Sequence, residues 1–248
     1  MRIALLADLH ANREATSACL AELDRRGCAR HVFLGDLVGY GADPGWVVDT
    51  VRERVEAGAV SVLGNHDQAV LAAPSESMVP EARAAIAWTR ERLSAEQLAF
   101  LGGLPLQVQE DDRLYVHANA WAPAQWGYIR DRASATRSLE ATAQRLTFCG
   151  HEHRPALYYA QPGPAGHFEP VPGRVVPLPG HRRWLAIPGA CGQPRDGDPA
   201  ACCAIYDTAT SSLTFLRVPY DHERAAARIV EAGLPRAFAQ RLLGSVAP

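Results

Sequence analysis

The chain has 248 residues, of which 48% are hydrophobic and 21% are charged, and its formal net charge is −2. This composition excludes a disordered chain, a collagen and a coiled-coil rod, and the near-neutral charge argues against a broad basic face for nucleic acids. All 25 basic residues are arginine, which excludes lysine chemistry such as Schiff-base formation.

The first half of the sequence alternates strand and helix signals. Short apolar runs predict buried strands at 3–7, 31–34 and 60–63. Helices are predicted after Asn12, from Pro44 to about residue 56, and at 80–93 and 94–101. Asn12 is a suitable N-cap, and Ser94 with Gln97 three residues later forms a capping box. This alternation predicts a mostly parallel sheet with helices outside it.

The second half is typical of short strands that pair antiparallel. The predicted strands are 106–109, 114–117, 146–149, 156–160, 174–178, 184–187, 201–206 and 213–218. A helix is predicted at 133–144, and a helical tail at 221–248 with a break near 233–235. Residues 161–183 contain six prolines and are predicted to form a surface loop or a mobile hairpin. We expect residues 1–248 to form a single domain.

Five of the predicted strands end in small groups of aspartate, asparagine and histidine. The groups are Asp8-Leu9-His10, Gly35-Asp36, Gly64-Asn65-His66-Asp67, His117 and Gly150-His151-Glu152-His153. In open α/β sheets, ligands bind at the carboxyl ends of the strands. The pattern therefore predicts one site that is built from five separate stretches of chain.

These residue types suit metal ions, because they offer oxygen and imidazole donors without a thiolate. Asp8 and His10 are two apart on a segment predicted to be extended, so both should project to one side, and His151 and His153 should do likewise. Seven ligands are too many for one ion and suit two ions that share a bridging carboxylate. The candidates are Asp8, His10, Asp36, Asn65, His117, His151 and His153.

A pair of ions about 3.5–4 Å apart is a clamp used for phosphoryl transfer. The ions bind phosphate oxygens, lower the pKa of a bridging water and align the resulting hydroxide for in-line attack. His66 is predicted to contact the phosphoryl or leaving-group oxygen. Asp67 is predicted to orient the His66 ring and to raise its pKa.

The motifs D-x-H, G-D, G-N-H-D, a lone histidine and G-H-x-H, in this order, resemble the calcineurin-like metallophosphoesterase superfamily. The likeness spans about residues 3–153. The segment 188–199 extends it to about residue 220 and resembles the bacterial branch described as diadenosine tetraphosphatase-like or protein-phosphatase-like. The resemblance implies an α/β (α+β) fold: a four-layer αββα sandwich of two mixed β-sheets flanked by helices.

The resemblance also implies a role for each site residue. Asp36 would bridge two divalent or trivalent ions, and His66, with Asp67 behind it, would be the catalytic histidine. The ions would be Mn²⁺, Fe or both, with Zn²⁺, Co²⁺ and Ni²⁺ as alternatives. The first ion would be held by Asp8, His10 and His153, and the second by Asn65, His117 and His151.

Departures from the family pattern, such as Ala118-Asn119 after His117, affect the expected substrate contacts and leave the ligands intact. The candidate substrate-binding residues are Tyr40, Asn119 and Arg195. Tyr40 lies on a rim loop that is equally consistent with a turn into a helix. Arg195 either grips a distal phosphate or belongs to a structural turn. Three aromatic residues are either core residues or a wall for a nucleobase: Trp121, Trp126 and Tyr128.

The sequence thus predicts a dinuclear-metal-dependent phosphoesterase that cleaves a phosphate ester or a nucleoside polyphosphate such as diadenosine tetraphosphate. The alternatives are a protein serine/threonine phosphatase and a phosphodiesterase on the same site. A catalytically silent scaffold is disfavoured because all seven ligands and His66 are present. The expected substrate is a small molecule, with neither a membrane nor extended nucleic acid as a partner. Six cysteines predicted to be buried free thiols, and an N-terminal apolar run of only five residues, predict a cytoplasmic protein.

Overall fold

The computed structural model describes residues 1–72 and 80–244, so residues 245–248 of the predicted tail lie outside the described residues. The strands are β1 (Arg2–Leu6), β2 (Arg30–Phe33), β3 (Val60–Ser61), β4 (Gln107–Glu110), β5 (Arg113–Val116), β6 (Leu146–Phe148), β7 (Ala156–Tyr159), β8 (Gly166–Phe168), β9 (Val175–Pro177), β10 (Trp184–Ile187), β11 (Ala201–Asp207) and β12 (Ser212–Val218). The helices are α1 (Arg13–Arg25), α2 (Pro44–Glu56), α3 (Asn65–Ala69), α4 (Pro80–Glu91), α5 (Ala95–Gly102), α6 (Arg132–Glu140), α7 (His222–Glu231) and α8 (Arg236–Leu242).

The strands form two mixed six-stranded sheets. The first has the order β3-β2-β1-β11-β12-β9, and the second has the order β4-β5-β6-β10-β7-β8. In the first sheet β1, β2 and β3 are parallel, and β11 joins β1 antiparallel. In the second sheet β5, β6 and β10 are parallel. The predicted pair of mixed sheets flanked by helices is confirmed.

The side chains of β1 show how the layers are stacked. Ile3 and Leu5 belong to the apolar cluster between the two sheets, where they share the core with Phe148 of the second sheet. Ala4 and Leu6 belong to the cluster under the outer helices. Because both faces of β1 are covered, its residues after Arg2 are apolar without alternation.

Helices α1 and α5 begin at the predicted capping residues, whereas α6 ends earlier than predicted. Asn12 accepts a hydrogen bond from the Ala15 N–H and begins α1, and Ser94 with Gln97 forms the predicted capping box of α5. Helix α6 ends at residue 140 instead of 144. Beyond its end the guanidinium of Arg183 donates to the carbonyls of Leu139 and Thr142. This tertiary contact satisfies carbonyls that further helical turns would otherwise have bonded.

The predicted loop or hairpin at 161–183 contains two strands that belong to different sheets: β9, which matches the strand predicted at 174–178, and β8, which the sequence does not predict. Strand β8 pairs with β7 at the edge of the second sheet, and β9 pairs with β12 at the edge of the first. Pro177 ends β9, and an edge strand tolerates its missing N–H. The segment therefore links the two sheets instead of folding back on itself.

The helical tail packs onto the loop that follows Asp36. Helices α7 and α8 are separated at Gly233, which has a φ of 74°, close to the predicted break. Arg228 of α7 forms a bidentate ion pair with Asp43, and Phe238 of α8 packs edge-on against the Tyr40 ring, with centroids 5.0 Å apart.

All six cysteines are buried free thiols. None of the helices in residues 1–72 and 80–244 combines the length and apolar character that a bilayer span requires.

Candidate functional site

Three loops that follow the parallel strands β1, β2 and β3 meet at one edge of the first sheet. The Asp8 N–H donates to the Gly35 carbonyl at 3.1 Å, and the His10 N–H donates to the Asp36 carbonyl at 3.0 Å. The third loop comes so close that a Cβ on Gly64 would lie 2.1 Å from the Asp36 nitrogen. Glycine is therefore required for this approach, which places the polar residues of the first three motifs side by side.

The second sheet contributes its residues to the same place. The Gly150 N–H donates to the His117 carbonyl at 2.8 Å, which joins the ends of β5 and β6. The His151 N–H donates to both carboxylate oxygens of Asp8, at 3.1 and 3.0 Å. The five predicted motifs thus converge where the carboxyl ends of β1, β2 and β3 in the first sheet meet those of β5 and β6 in the second.

Five of the seven predicted ligands have a left-handed backbone, so the expectation of extended D-x-H and H-x-H segments is wrong. The φ values are 54° for Asp8, 47° for His10, 53° for Asp36, 68° for His151 and 60° for His153. This conformation costs roughly 1–2 kcal/mol per non-glycine residue, and such strain is typical of functional sites. Tight turns, not strand alternation, bring these side chains to one side.

Backbone carbonyls orient three of the imidazole rings in the same way. The Nδ1 atoms of His10, His117 and His153 each face a carbonyl oxygen, which can only accept a hydrogen bond. Each Nδ1 therefore carries a hydrogen, and each Nε2 faces the centre of the site, where it presents a lone pair when the ring is neutral. The accepting carbonyls belong to Val38 at 3.1 Å, Leu34 at 2.7 Å and Gln193 at 2.7 Å, respectively.

His151 is oriented in the opposite sense. Its Nε2 donates to the carbonyl of Trp126 at 2.9 Å, which leaves Nδ1 as the lone-pair atom. The ring of Tyr128 stacks on it with centroids 3.9 Å apart. Sequence reasoning missed Gln193 and Trp126 as orienting residues, because a carbonyl contact carries no residue-type signal.

Potential ligand atoms face one another at the centre of the site. Nε2 of His10 lies 3.0 Å from Nε2 of His153, and Nε2 of His117 lies 3.1 Å from Oδ1 of Asn65. The lone pairs of two neutral rings, as in the His10–His153 pair, repel unless a proton or a metal ion lies between them. Two ligand atoms bonded to one ion at about 2.0–2.1 Å lie roughly 3 Å apart when they subtend a right angle. The donor set present therefore fits a metal ion.

The ligand atoms form three overlapping groups that could each hold a metal ion. Asp36 belongs to two of the groups, and its Oδ2 lies 3.8 Å from the His10 Nε2 and 3.4 Å from the His117 Nε2. The Asp36 carboxylate thus lies between His10 and His117, which belong to different groups, as a bridging carboxylate requires. The groups are Asp8-His10-His153, Asp36-His117-His151 and His10-Asp36-His66.

Burial controls the charges of these groups. It is the main cause that raises the pKa of Asp8 to about 7, and it lowers the pKa of His10 and His153 well below the usual range. Burial also opposes the charge of His117, but the carboxylates of Asp36 and Asp8 outweigh it and raise the pKa of His117 to about 9. A metal ion bound between Asp36 and His117 would take the place of the His117 proton. Its positive charge would then balance the charge of the buried carboxylates.

Asp67 has a different role from the predicted one. Its Oδ1 accepts from the N–H groups of Leu37 and Val38, at 2.9 and 3.1 Å, and its Oδ2 accepts from the Gly64 N–H at 3.0 Å. Both carboxylate oxygens are therefore held by main-chain donors. It ties the loop after Asp36 to the start of α3 instead of orienting the His66 ring.

His66 lies beside the cluster and is half-buried. Its N–H donates to Oδ1 of Asp36 at 2.8 Å, and its ring packs against those of His10 and Tyr40, with centroids 5.0 and 4.5 Å away. A Cβ on Gly39 would lie 2.5 Å from the His66 Nδ1, so Nδ1 is packed against the chain and Nε2 is freer. Burial lowers the pKa of His66, in contrast to the predicted rise.

The three predicted substrate-binding residues divide into two kinds. Tyr40, with a φ of 61°, and Arg195, whose Cζ lies 5.8 Å from the Tyr40 ring centre, are at the rim of the site. Asn119 is fully buried, and its amide donates to the Gly127 carbonyl and accepts from the Ala122 N–H. These bonds hold the buried amide within its own loop, so the structure gives no direct support to Asn119 as a substrate contact, which stays a prediction.

The aromatic residues after His117 also divide. Trp126 and Tyr128 pack on the rings of His117 and His151, and 39% of the Tyr128 surface is exposed. Trp121 packs against the core between the second sheet and α6. Trp121 is therefore a core residue, whereas Trp126 and Tyr128 line the site, and a nucleobase contact by these two stays a prediction.

Comparisons with known proteins agree with this architecture. A family model described as the calcineurin-like phosphoesterase superfamily domain matches residues 1–211. A curated protein of Methanocaldococcus jannaschii, described as uncharacterized, is 34% identical over 246 residues, which are 97% of this chain and 96% of that protein.

Two solved structures resemble the whole chain. A metallophosphoesterase from Sphaerobacter thermophilus is 37% identical, with a TM-score of 0.88 and coverage of 99% of this chain and 100% of that one. A hypothetical protein from Pyrococcus horikoshii OT3 is 18% identical, with a TM-score of 0.79 and coverage of 100% and 99%. The second likeness shows the fold alone.

Proposed function

Because the chain belongs to the calcineurin-like phosphoesterase superfamily and is a phosphoric ester hydrolase, we propose that its clustered Asp and His side chains hold two metal ions that serve hydrolysis of a small phosphate ester. The observation that carries the proposal is the facing pair of nitrogen lone pairs, His10 Nε2 and His153 Nε2, 3.0 Å apart and each fixed by a carbonyl on the other side of its ring. A metal ion between the two atoms makes this contact favourable, and burial disfavours a proton in that place because it lowers the pKa of both rings.

The ligands divide into two sets around Asp36, whose carboxylate lies between His10 and His117. Carboxylate, amide and imidazole donors without thiolate favour Mn²⁺ or Fe. When bound, the two ions would supply positive charge to the phosphoryl oxygens and lower the pKa of the attacking water. We assign Asp8, His10 and His153 to the first ion and Asn65, His117 and His151 to the second, with Asp36 bridging.

His66 is our candidate for the catalytic side chain that touches the substrate. Its main-chain bond to Asp36 fixes its position, and the contact with Gly39 restricts its ring. The less crowded Nε2 is then directed to contact an oxygen of the phosphoryl or leaving group. Asp67 acts on His66 only through the main chain, as a positioning residue.

The test is a turnover panel on the full chain after removal of all metal and reconstitution with Mn²⁺. The arms are p-nitrophenyl phosphate, bis(p-nitrophenyl) phosphate, diadenosine tetraphosphate and a phosphoserine peptide. We expect two bound ions per chain by elemental analysis, and hydrolysis of at least one small ester that stops when a chelator removes the ions. Full activity in a metal-free sample would contradict the proposal.

The same panel separates the substrate classes. The exposed ring of Tyr128 on His151 offers a stacking surface beside the ligands, and stacking of a base on such a ring is worth about 1–3 kcal/mol. This contact favours a nucleotide substrate such as diadenosine tetraphosphate. Turnover of the phosphopeptide alone would instead identify a protein phosphatase, and turnover of the diester alone would identify a phosphodiesterase.

A further inference from the structure

A cavity of about 480 Å³ opens next to the proposed metal centre. Tyr128, which stacks on His151, forms part of its wall, and so does Glu152 between the two histidines of the last motif. Four arginines line this cavity against two carboxylates, so its walls carry excess positive charge. The arginines are Arg130, Arg154, Arg195 and Arg241, and the carboxylates are Glu152 and Asp198.

Two of these arginines converge on one neutral oxygen. Oε1 of Gln193 accepts from Nη2 of Arg195 at 3.2 Å, and Nη1 of Arg241 lies 3.5 Å from the same atom. Gln193 is only 1% exposed, so this oxygen is a fixed point. The amide oxygen can accept from both arginines but leaves their like charges unbalanced, and an anion between the two guanidinium groups would offset that repulsion.

No carboxylate among residues 1–72 and 80–244 supplies that anion: none lies within 4.0 Å of the guanidinium of Arg195 or of Arg241. Other arginines of the chain are paired, for example Arg145 with Asp112 and Arg228 with Asp43. In addition, the Nε of Arg195 is buried and has no hydrogen-bond partner within the described part of the chain. Charged donors are thus available for a ligand.

The arginine pair is coupled to the metal centre through one residue. The carbonyl of Gln193 orients the His153 ring, with Nδ1 at 2.7 Å, while its side chain holds the arginines. Arg195 also lies over the rim residue Tyr40, which packs on His10 and His66. A ligand in the arginine pair would therefore lie beside a phosphoryl group held at the ligands.

We propose that Arg195 and Arg241 form a second anion subsite, so that the preferred substrates are phosphoesters whose non-transferred part carries a second phosphate group. This inference rests on the proposed function, because it assigns the reacting phosphoryl group to the Asp and His cluster. Guanidinium groups suit the second phosphate because they grip phosphate oxygens in a bidentate manner. Neither arginine is needed to hold a metal ion.

The test compares Arg241→Gln with Arg236→Gln, an exposed arginine on the same helix. On the Mn²⁺-loaded enzyme, we expect Arg241→Gln to raise the KM for diadenosine tetraphosphate by about 10–100-fold, the loss of one charge-assisted contact. The KM for p-nitrophenyl phosphate should change less than about twofold, since that substrate has no second phosphate. Equal effects on both substrates, or no effect on either, would overturn the inference.

A binding experiment keeps this inference separate from the proposed function. Inorganic pyrophosphate titrated into the metal-free full chain should bind wild type and Arg236→Gln equally, and Arg241→Gln at least about tenfold more weakly. Equal binding to all three proteins would overturn the subsite even if the enzyme is active. Absence of any turnover would overturn the proposed function, and the pyrophosphate result would still decide the subsite. If Arg241→Gln does not fold, Arg195→Gln takes its place in this binding experiment. We expect the same loss of pyrophosphate affinity from that variant.

Discussion

Replacement of Asp67 by asparagine tests whether this residue holds the site together through the main chain. The wild-type carboxylate accepts three N–H groups, from Leu37, Val38 and Gly64. An asparagine oxygen can keep the first two, but its NH₂ group must then face the Gly64 N–H. The Gly64 N–H then lacks an acceptor and faces a second donor, and the two remaining hydrogen bonds are no longer charge-assisted.

The expected loss of unfolding free energy follows from these contacts. An unpaired buried donor costs about 1–3 kcal/mol, and charge-assisted hydrogen bonds are roughly twice as strong as neutral ones. Asp67→Asn should therefore destabilise the protein by about 2–4 kcal/mol. Because Leu37 follows Asp36 and Gly64 precedes Asn65, the same change should weaken metal binding by roughly 10–100-fold, as for other residues that support ligands.

Urea unfolding of the metal-free chain, followed by tryptophan fluorescence, measures the first effect, and Mn²⁺ titration calorimetry measures the second. Asp221→Asn is the matched control, since Asp221 also accepts a main-chain N–H but at an exposed N-cap, where asparagine serves equally well. If Asp67→Asn kept wild-type stability and metal affinity but lost turnover, our reasoning would be refuted, and the predicted orientation of the His66 ring would be favoured instead.

Further predictions concern the proposed catalytic histidine, the proposed bridging carboxylate and the core. His66→Ala should keep both ions by elemental analysis and lower kcat by about 10²–10⁴-fold; loss of an ion would make His66 a ligand, as its group with His10 and Asp36 permits. Asp36→Ala should reduce the metal content below two ions per chain, and a variant that retains both would contradict the bridge. Phe148→Ala, at a side chain 1% exposed between the sheets, should cost about 3–5 kcal/mol in urea unfolding. Val175→Ala, 64% exposed on β9, should stay within about 0.5 kcal/mol, and equal losses for the two variants would show that the core is wrongly placed.

Local signals in the sequence were sufficient for most elements and for the residue types at the site. Helix α2 begins at Pro44 and ends at Glu56 as predicted, because proline at the first turn and the apolar spacing are local properties. The candidate ligands could be named from sequence because carboxylate and imidazole groups repeat at the ends of buried strands, where parallel strands expose one common edge.

Only the tertiary structure decided how these residues act. The left-handed backbone of Asp8 and His10, the carbonyls that orient the imidazole rings and the main-chain contacts of Asp67 depend on neighbouring loops packed in space. The pairing of Arg195 with Arg241 joins residues 46 positions apart through one amide oxygen. A sequence specifies which chemical groups are present. Hydrogen bonds to main-chain atoms and the removal of water from charged groups depend on distance and burial. Both therefore arise only when distant segments of the chain come together.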